Sequence, residues 1–214
     1  MRLFPRRSVP SIGVRLIHTR PMRARAMAAR TRTGGFTLVE LAITVVVLAV
    51  LIGISIPLFT GLTNGSRLTG NANELVAALQ IARTEAIRRN VRTTICQSAD
   101  SLTCTNASPW RGWIIFADND GDGIVDAGEI VRTGVIEQPV QVIASSNIVN
   151  SRVVFRADGL AYAGNDLLEA NMRVCLPVAN PNLNARDVNI AVGGRVAVRA
   201  PINAAGACPA PGNT

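Results

Sequence analysis

The acidic run over residues 118–129 has the clearest potential for metal chemistry. Its five carboxylates are Asp118, Asp120, Asp122, Asp126 and Glu129. Oxygen ligands at the first, third, fifth, ninth and twelfth positions, with Gly123 at the sixth, match the spacing of an EF-hand calcium loop. The flanking residues are typical of strands rather than helices, so we predict an EF-like calcium loop within a hairpin. A solvated acidic turn is the alternative, because Asp and Gly both tolerate turn backbone.

The four cysteines offer either disulfide or metal chemistry. They are Cys96, Cys104, Cys175 and Cys208, and four cysteines allow three pairings. Cys96 and Cys104 flank a short loop that follows a predicted strand, while Cys208 closes a proline-rich tail. We therefore predict one disulfide between Cys96 and Cys104 and another between Cys175 and Cys208. A metal site is the alternative, although neither CxxC spacing nor a neighbouring histidine accompanies these residues.

Two arginines near the C-terminus could contact phosphates. In the predicted strand over residues 194–199, Arg195, Ala197 and Arg199 share one face because side chains alternate along a strand. Arginines on an exposed strand can bind nucleic-acid phosphates. Solubilising arginines on an edge strand are the alternative interpretation.

The distribution of charge and histidine limits the function classes. The formal net charge is +8, but the nine basic residues before Phe36 are all arginines, and no acidic residue accompanies them. The remainder has 13 arginines against 14 acidic residues, so the high isoelectric point does not argue for nucleic-acid binding. His18 is the only histidine. Ser-His-Asp and Cys-His catalysis are therefore excluded from the rest of the chain, and we predict that the protein is not an enzyme.

The elements that position these residues begin with an apolar segment over residues 36–59. Glu40 is its only charged residue, and a helix of this length would extend about 36 Å, enough to span a bilayer. Because the arginine-rich flank precedes the segment, the positive-inside rule places the N-terminus in the cytoplasm and the later residues outside. A cleaved secretory signal is the alternative. The apolar run is too long for a signal core, and no small-x-small cleavage site follows it.

A second helical pattern continues beyond the apolar segment. Gly53 and Pro57 predict a kink or a melted turn, with a weakened helix as far as Asn71. Helical spacing then places apolar residues in one stripe. The stripe comprises Leu68, Ala72, Leu75, Leu79, Ala82 and Ala86.

The residues after this helix read as short strands separated by turns. We predict strands over 92–96, 112–117, 130–133, 140–143, 152–155, 172–176, 187–192 and 194–199. A long helix followed only by strands indicates an α+β fold with an antiparallel sheet packed on the helix.

The start of the apolar segment resembles the type IV prepilin processing and methylation motif. The matching residues are Gly35, Phe36, Thr37, Leu38 and Glu40. The resemblance implies that a prepilin peptidase cuts after Gly35 and methylates Phe36. It also implies that Glu40 pairs with the N-terminal amine of a neighbouring subunit during assembly. A helix-dipole contact of Glu40 is the alternative. Met22 and Met27 are alternative starts, since a 35-residue leader is long for this class.

Residues 34 to about 208 resemble the GspH/FimT family of minor pilins and pseudopilins. The resemblance depends on the helical pattern over 74–87, the Gly-Trp-Ile-Ile-Phe run over 112–116, the acidic glycine turn and the late Gly-Arg strand. It implies a type IV pilin-like fold, in which a long N-terminal helix, transmembrane and then amphipathic, packs on the sheet. The expected organisation is a cytoplasmic leader over 1–35, a transmembrane helix over 36–59, its amphipathic continuation over 60–90 and a periplasmic β-rich domain over 91–214.

The family resemblance also implies a function and partners. We expect a minor subunit of a type II secretion pseudopilus or a type IV pilus, held in the inner membrane. Its partners would be other pilins or pseudopilins, the prepilin peptidase and an inner-membrane assembly platform. The alternative is a DNA-binding minor pilin that acts in DNA uptake through Arg195 and Arg199. Some DNA-uptake members are credited with a Gly-Arg-x-Arg contact, but Ala197 occupies the place of its second arginine here.

Overall fold

The structure is a computed structural model that describes residues 35–213. The predicted leader before Gly35, with the alternative starts Met22 and Met27, lies outside the described residues. The chain divides into two compact units between Thr44 and Val45. The first contributes the N-terminal end of a helix to the description, and the second contains the rest of that helix and all the strands.

Helix α1 comprises Leu38–Arg89. It begins where the hydroxyl oxygen of Thr37 accepts a hydrogen bond from the Glu40 backbone N–H at 3.2 Å, the geometry of an N-terminal cap. The predicted melted turn was wrong, because the chain is helical throughout this range. The glycine-rich stretch over 61–70 also contains hydroxyl side chains. Those of Thr63, Ser66 and Thr69 donate hydrogen bonds to backbone carbonyls one helical turn earlier.

The C-terminal half of α1 packs against the domain through the predicted stripe. All six stripe residues are buried, and Ala78 joins them. The opposite face carries Asn73, Thr84 and Arg88, which are exposed. Burial of one apolar face explains why tertiary packing maintains this helix despite the preceding glycines.

The first sheet has six antiparallel strands in the order β3-β2-β1-β5-β6-β7. The strands are β1 (Arg92–Gln97), β2 (Gly112–Asp118), β3 (Ile130–Val135), β5 (Arg152–Phe155), β6 (Ala161–Ala163) and β7 (Asp166–Leu167). β2 lies beside β1 with Ile95 opposite Ile115, and both side chains are fully buried. A register shift between Ile115 and Phe116 interrupts the pairing of β2 with β3.

The second sheet has four antiparallel strands in the order β10-β9-β8-β4. They are β4 (Gln141–Ala144), β8 (Ala170–Cys175), β9 (Ala185–Ala191) and β10 (Arg195–Val198). A short 3₁₀ turn, Val149–Ser151, precedes β5. The bridge between Trp110 and Val142 brings the second sheet close to the start of β2.

One hydrophobic core joins the α1 stripe to the inner faces of both sheets. Its members include Leu79 on the helix, Ile115 and Phe155 on the first sheet, and Met172 and Ile190 on the second. The α+β fold with a long N-terminal helix is confirmed, but the strands form two sheets rather than the single sheet expected. β3 and β10 each lie at an outer edge, in different sheets.

Candidate functional sites

The predicted processing residues lie at the start of α1. Gly35 precedes the helix, and an added Cβ there would meet no atom within 4 Å. The Phe36 side chain is 81% exposed. Glu40 is also exposed, and within residues 35–213 its carboxylate makes no hydrogen bond or ion pair. Its backbone N–H donates to the Thr37 hydroxyl, and no described residue pairs with the carboxylate itself.

The apolar residues of α1 from Leu38 to Ile56 are exposed around its whole circumference. α1 contains one stretch long and apolar enough to cross a membrane, and none of that stretch is buried. Val46 is 62% exposed, Leu51 56% and Ile54 62%, although full burial of such a side chain stabilises by about 1.5–3 kcal/mol. Because an aliphatic surface of this extent is unfavourable in water, it requires a membrane or other apolar helices to cover it.

The acidic loop connects β2 to β3, and its first and last carboxylates are the buried ones. The Asp118 carboxylate accepts a hydrogen bond from the Gly121 backbone N–H at 2.8 Å. The Glu129 carboxylate accepts bonds from the backbone N–H groups of Asn119, at 2.7 Å, and Asp126, at 3.3 Å. These bonds fold the loop back on itself, and Gly121 and Gly123 adopt positive φ angles, as tight turns require.

The loop brings its carboxylates together in two overlapping groups. Asp118, Asp120 and Glu129 each present an oxygen within 4.8 Å of the others, and Asp120, Asp122 and Asp126 do the same. Local desolvation, followed by the charges of Asp122, Asp120 and Glu129, raises the pKa of the exposed Asp126 carboxyl. A divalent cation would relieve this repulsion, and oxygen donors of this kind suit calcium.

Two further arginines, which the loop motif does not predict, contact the same loop. Arg92 lies 3.1 Å from the Asp118 carboxylate through its Nη2 atom, which also donates to the Gly121 carbonyl. Arg152 donates from Nη1 to the Gly123 carbonyl at 2.8 Å. Arg92 begins β1, which pairs with β2, and Arg152 begins β5, which pairs with the other side of β1, so only strand pairing could have revealed them. They neutralise part of the loop charge.

The Cys96–Cys104 disulfide belongs to a small hydrophobic cluster on the outer face of the first sheet. The Cα atoms of the two cysteines are 5.6 Å apart. Cys96 packs with Ile114 and Phe116, and Val125 of the acidic loop covers the same cluster. The disulfide loop and the acidic loop therefore share one hydrophobic support, which the sequence pattern did not predict.

The Cys175–Cys208 disulfide fastens the C-terminal tail across the outer face of the second sheet. Its Cα atoms are 5.7 Å apart, and both predicted pairings are present in the structure. Arg173 forms a bidentate ion pair with Asp187, with contacts of 2.7 and 2.8 Å, and donates to the Pro209 carbonyl at 3.1 Å. The hydrogen bond to Asp187 raises the pKa of Arg173. Asn171 donates to the Gly212 carbonyl, so the tail is held at several points.

Of the two arginines predicted to contact DNA, Arg195 begins β10 and Arg199 directly follows its last residue. Arg195, Ala197 and Arg199 are exposed, whereas Val196 packs into the core. Gly194, just before the strand, accepts a hydrogen bond from Arg83 on α1. Among the described residues neither Arg195 nor Arg199 has an acidic partner. The arrangement offers two separated cations on an edge strand rather than a dense basic cluster.

Comparison with known proteins identifies two sequence families in the chain. Residues 71–194 match the family described as Type II transport protein GspH. Residues 30–56 match the Prokaryotic N-terminal methylation motif, which covers Gly35, Phe36 and Glu40. No protein with a curated description matches the chain.

Three solved structures are similar to the chain. Two crystal forms of the Pseudomonas aeruginosa type IV minor pilin FimU are 20% and 21% identical, with TM-scores of 0.44 and 0.46. They cover 62% and 64% of this chain, which in turn covers 93% and 92% of theirs. The Vibrio cholerae minor pseudopilin EpsH of the Type 2 Secretion System is 10% identical, with a TM-score of 0.46, and the match covers 63% of this chain and 97% of that one. At these TM-scores the likenesses add no argument about fold or function.

The family assignment depends on the sequence match, which spans more than half of the chain and includes α1 from Asn71, both buried tryptophans, the acidic loop and the glycines before β10. Members of this family are pilin-like structural subunits that assemble with other subunits. The apolar start of α1 and the methylation motif belong to a membrane-anchored pilin. The chain is a member of the GspH family of minor pilins and pseudopilins.

Proposed function

We propose that this protein is a non-enzymatic minor subunit of an inner-membrane filament. The observation that carries the proposal is the fully exposed apolar half of α1, which requires partners that the globular domain does not provide. After processing, the helix would anchor the subunit in the bilayer and then pack among other pilin helices. Glu40 would pair with the N-terminal amine of a neighbour, because a lone carboxylate in lipid costs about 2.5–3.5 kcal/mol near the bilayer centre.

The proposed topology places the N-terminus in the cytoplasm and the β-rich domain in the periplasm. The arginine-rich leader supports this orientation through the positive-inside rule. The two disulfides are consistent with it, because the periplasm is an oxidising compartment. The subunit would act in protein secretion through a type II pseudopilus or in type IV pilus biogenesis, with the prepilin peptidase and an assembly platform as further partners.

Processing at Gly35 is the direct test of this proposal. Gly35→Leu should leave a full-length precursor in the membrane, since the peptidase requires a small residue before the cut. Gly53→Leu is a matched control, because an added Cβ at either glycine meets no atom within 4 Å. The length of the membrane-bound chain is measured by mass spectrometry. Normal maturation of Gly35→Leu would contradict the proposal.

DNA uptake is the second candidate function, and the exposure of Arg195 and Arg199 on one face of β10 favours it. Two phosphate contacts would give weak, sequence-independent binding, with a salt dependence near 0.9 per contact on logarithmic axes. Gel shift at low salt compares the full chain in detergent with an Arg195→Gln, Arg199→Gln double variant. Equal binding by both proteins, or none by either, would remove this function.

We also propose that the acidic loop binds calcium as a structural ion. Two observations support this proposal. The five carboxylates have the spacing of an EF-hand calcium loop, and oxygens of Asp118, Asp120 and Glu129 lie within 4.8 Å of one another. The ion would replace the mutual repulsion of these groups with oxygen coordination. No other cofactor is required for the proposed role of the subunit.

A further inference from the structure

The β8–β9 loop, residues 176–184, lies against the part of α1 that directly follows the apolar segment. The Asn64 side chain on α1 donates from Nδ2 to the Asn180 carbonyl at 2.9 Å. Gly61, about one turn earlier on the helix, faces the same loop residue, since an added Cβ there would lie 2.6 Å from the Asn180 side-chain oxygen. The loop is therefore held beside residues 61–64 of the helix.

From this loop, β9 runs along α1 away from the apolar segment. At the start of β9, Arg186 lines a shallow groove together with the small residues of α1 between Gly61 and Gly70. Beyond the end of β9, the Gly194 carbonyl accepts a hydrogen bond from Arg83 of α1. Arg83 lies roughly 33 Å further along the helix than Gly61. The β8–β9 loop is therefore at the end of the second sheet closest to the apolar segment, and the β9–β10 turn is at the far end.

The position of the loop along α1 corresponds to the depth of phospholipid headgroups. Gly61 and Asn64 follow Phe59, the last residue of the apolar segment, by about 3 and 8 Å along the helix axis. The headgroup region extends about 5–8 Å beyond the hydrocarbon core on each side of a bilayer. When the apolar segment spans the membrane, the loop lies in this region. In this respect the inference rests on the membrane anchoring in the proposed function.

The charged residues at this end of the molecule are all basic. Residues 41–73 contain one charged residue, Arg67, and residues 174–186 contain one, Arg186. Among the described residues, neither arginine forms an ion pair with a carboxylate. A surface that carries cations and no acidic residue is attracted to anionic phospholipids.

The loop also combines an apolar side chain with a partly buried cation. Leu183 is 46% exposed. Arg186 donates from Nη1 to the carbonyls of Leu183 and Ala185, at 3.0 and 2.9 Å, and its other guanidinium N–H groups have no partner in the described part of the chain. Burial lowers the pKa of Arg186, because the guanidinium is partly desolvated without an anion to balance it. Guanidinium groups bind phosphate through parallel hydrogen bonds, so a phosphate beside Arg186 would supply that anion.

We propose that the β8–β9 loop and the facing part of α1 form a second membrane contact, which binds phospholipid headgroups of the periplasmic leaflet. Arg186 binds a headgroup phosphate at the groove, and Arg67 adds attraction to anionic lipid. Leu183 reaches from the loop towards the acyl chains. This contact holds the globular domain against the bilayer while the subunit is anchored there.

Fluorescence quenching in vesicles tests the depth of the loop. The full-length Leu183→Cys variant is labelled with an environment-sensitive fluorophore and reconstituted in excess phosphatidylglycerol and phosphatidylcholine. All four native cysteines form disulfides, so the label reacts with the new thiol. A nitroxide on the lipid headgroup should quench this label about threefold more than one on Val192→Cys, which is the matched control because Val192 is 57% exposed in the far turn. Equal quenching at the two positions would overturn the inference.

The charge of the lipid tests the role of the arginines. Replacement of phosphatidylglycerol by phosphatidylcholine should lower the quenching at Leu183→Cys about twofold, and it leaves the protein unchanged. Arg67→Gln and Arg186→Gln should each lower it, whereas Arg195→Gln, at the far end of the second sheet, should not. Quenching that is independent of lipid charge and of both arginines would contradict the proposed contact. Quenching that decreases as the ratio of lipid to protein is raised would show that a second copy covers the loop instead.

A label within the apolar segment separates this inference from the proposed function. Leu48 is 58% exposed on the helix, so Leu48→Cys can be labelled in the same way. A nitroxide deep in the acyl chains should quench this label if the segment spans the bilayer. Quenching at Leu48→Cys without headgroup quenching at Leu183→Cys contradicts the second membrane contact alone. No quenching at Leu48→Cys contradicts the membrane anchoring that the proposed function requires.

Discussion

The two halves of α1 have similar lengths of helix but different surroundings. From Val45 to Ile56, and at Phe59, the large apolar side chains are at least half exposed, around the whole circumference. Between Leu68 and Ala86 most apolar residues belong to one stripe, and that stripe is buried. The first half therefore depends on molecules outside the chain for its stability, whereas the second half is stabilised by the domain that folds on it.

The composition of each half already reflects its surroundings. A helix that is apolar all round suits a bilayer or the centre of a helical assembly, and an amphipathic helix suits the surface of a globular domain. Glu40 and Glu74 show the same contrast for charge. Both are exposed, but Glu40 lies at the end of the apolar half, whereas Glu74 lies on the polar face of the packed half.

Truncation of one leucine in each half should give the largest difference. Leu79 is fully buried and Leu48 is 58% exposed. Leu79→Ala should lower the free energy of unfolding by about 2–5 kcal/mol, because it removes buried contacts and leaves a cavity. Leu48→Ala should change it by less than about 0.5 kcal/mol. Urea unfolding of the full chain in detergent, followed by fluorescence of the buried Trp110 and Trp113, measures both. Equal losses of unfolding free energy in Leu79→Ala and Leu48→Ala would contradict the contrast between the two halves of α1.

The sequence predicted this contrast because the contrast depends on the spacing of apolar residues along the chain. The six residues of the stripe and most of the strands could be recognised from spacing alone. β6 and β7 were missed, since they have only three and two residues and lack a β-branched run. Continuity of the helix past Gly65 and Gly70 was also missed, because packing of Leu68 and the later stripe residues outweighs the local cost of glycine.

The sites were also predictable to different degrees, because local patterns are visible in the sequence whereas contacts between distant segments are not. The acidic loop and the disulfide pairs depend on residues near one another in sequence or on a terminal tail. The contacts of Arg92 and Arg152 with the loop depend on which strands pair, and the Arg173–Asp187 ion pair depends on the register of β8 with β9. The division of the strands between two sheets is equally non-local, so no periodicity revealed it.

Like the exposed half of α1, the acidic loop would be stabilised by a partner from outside the chain, in this case a calcium ion. At a free calcium concentration ten times Kd, the gain should be about 1.4 kcal/mol. Thermal unfolding of the full chain in detergent, with and without millimolar calcium, measures this as a rise in Tm. Asp120→Asn should abolish the rise, while Asp158→Asn, outside the loop, should retain it. If calcium leaves the Tm of the wild-type protein unchanged, the loop is a solvated acidic turn and not a calcium site.

The smallest expected effect concerns pH in the absence of calcium. The pKa of Asp126 is raised in the folded state, so its ionised form is destabilising above that pKa, and the penalty disappears as pH falls through it. Asp126→Asn should therefore stabilise the calcium-free protein at pH 7 and have little effect near pH 3. Urea unfolding at the two pH values measures the difference. If Asp126→Asn stabilises the protein more at the lower pH, the pKa of Asp126 is not raised in the folded state.

Incorporation of Glu40→Ala into filaments tests the central claim, that the exposed half of α1 is completed by other subunits. Glu74→Ala is the matched control, because it removes an exposed carboxylate from the half that packs on its own domain. The full-length variants are compared by immunoblotting of membrane and sheared-filament fractions. We expect Glu40→Ala to be processed and retained in the membrane but largely absent from filaments, while Glu74→Ala assembles normally. Wild-type incorporation of Glu40→Ala would contradict the claim.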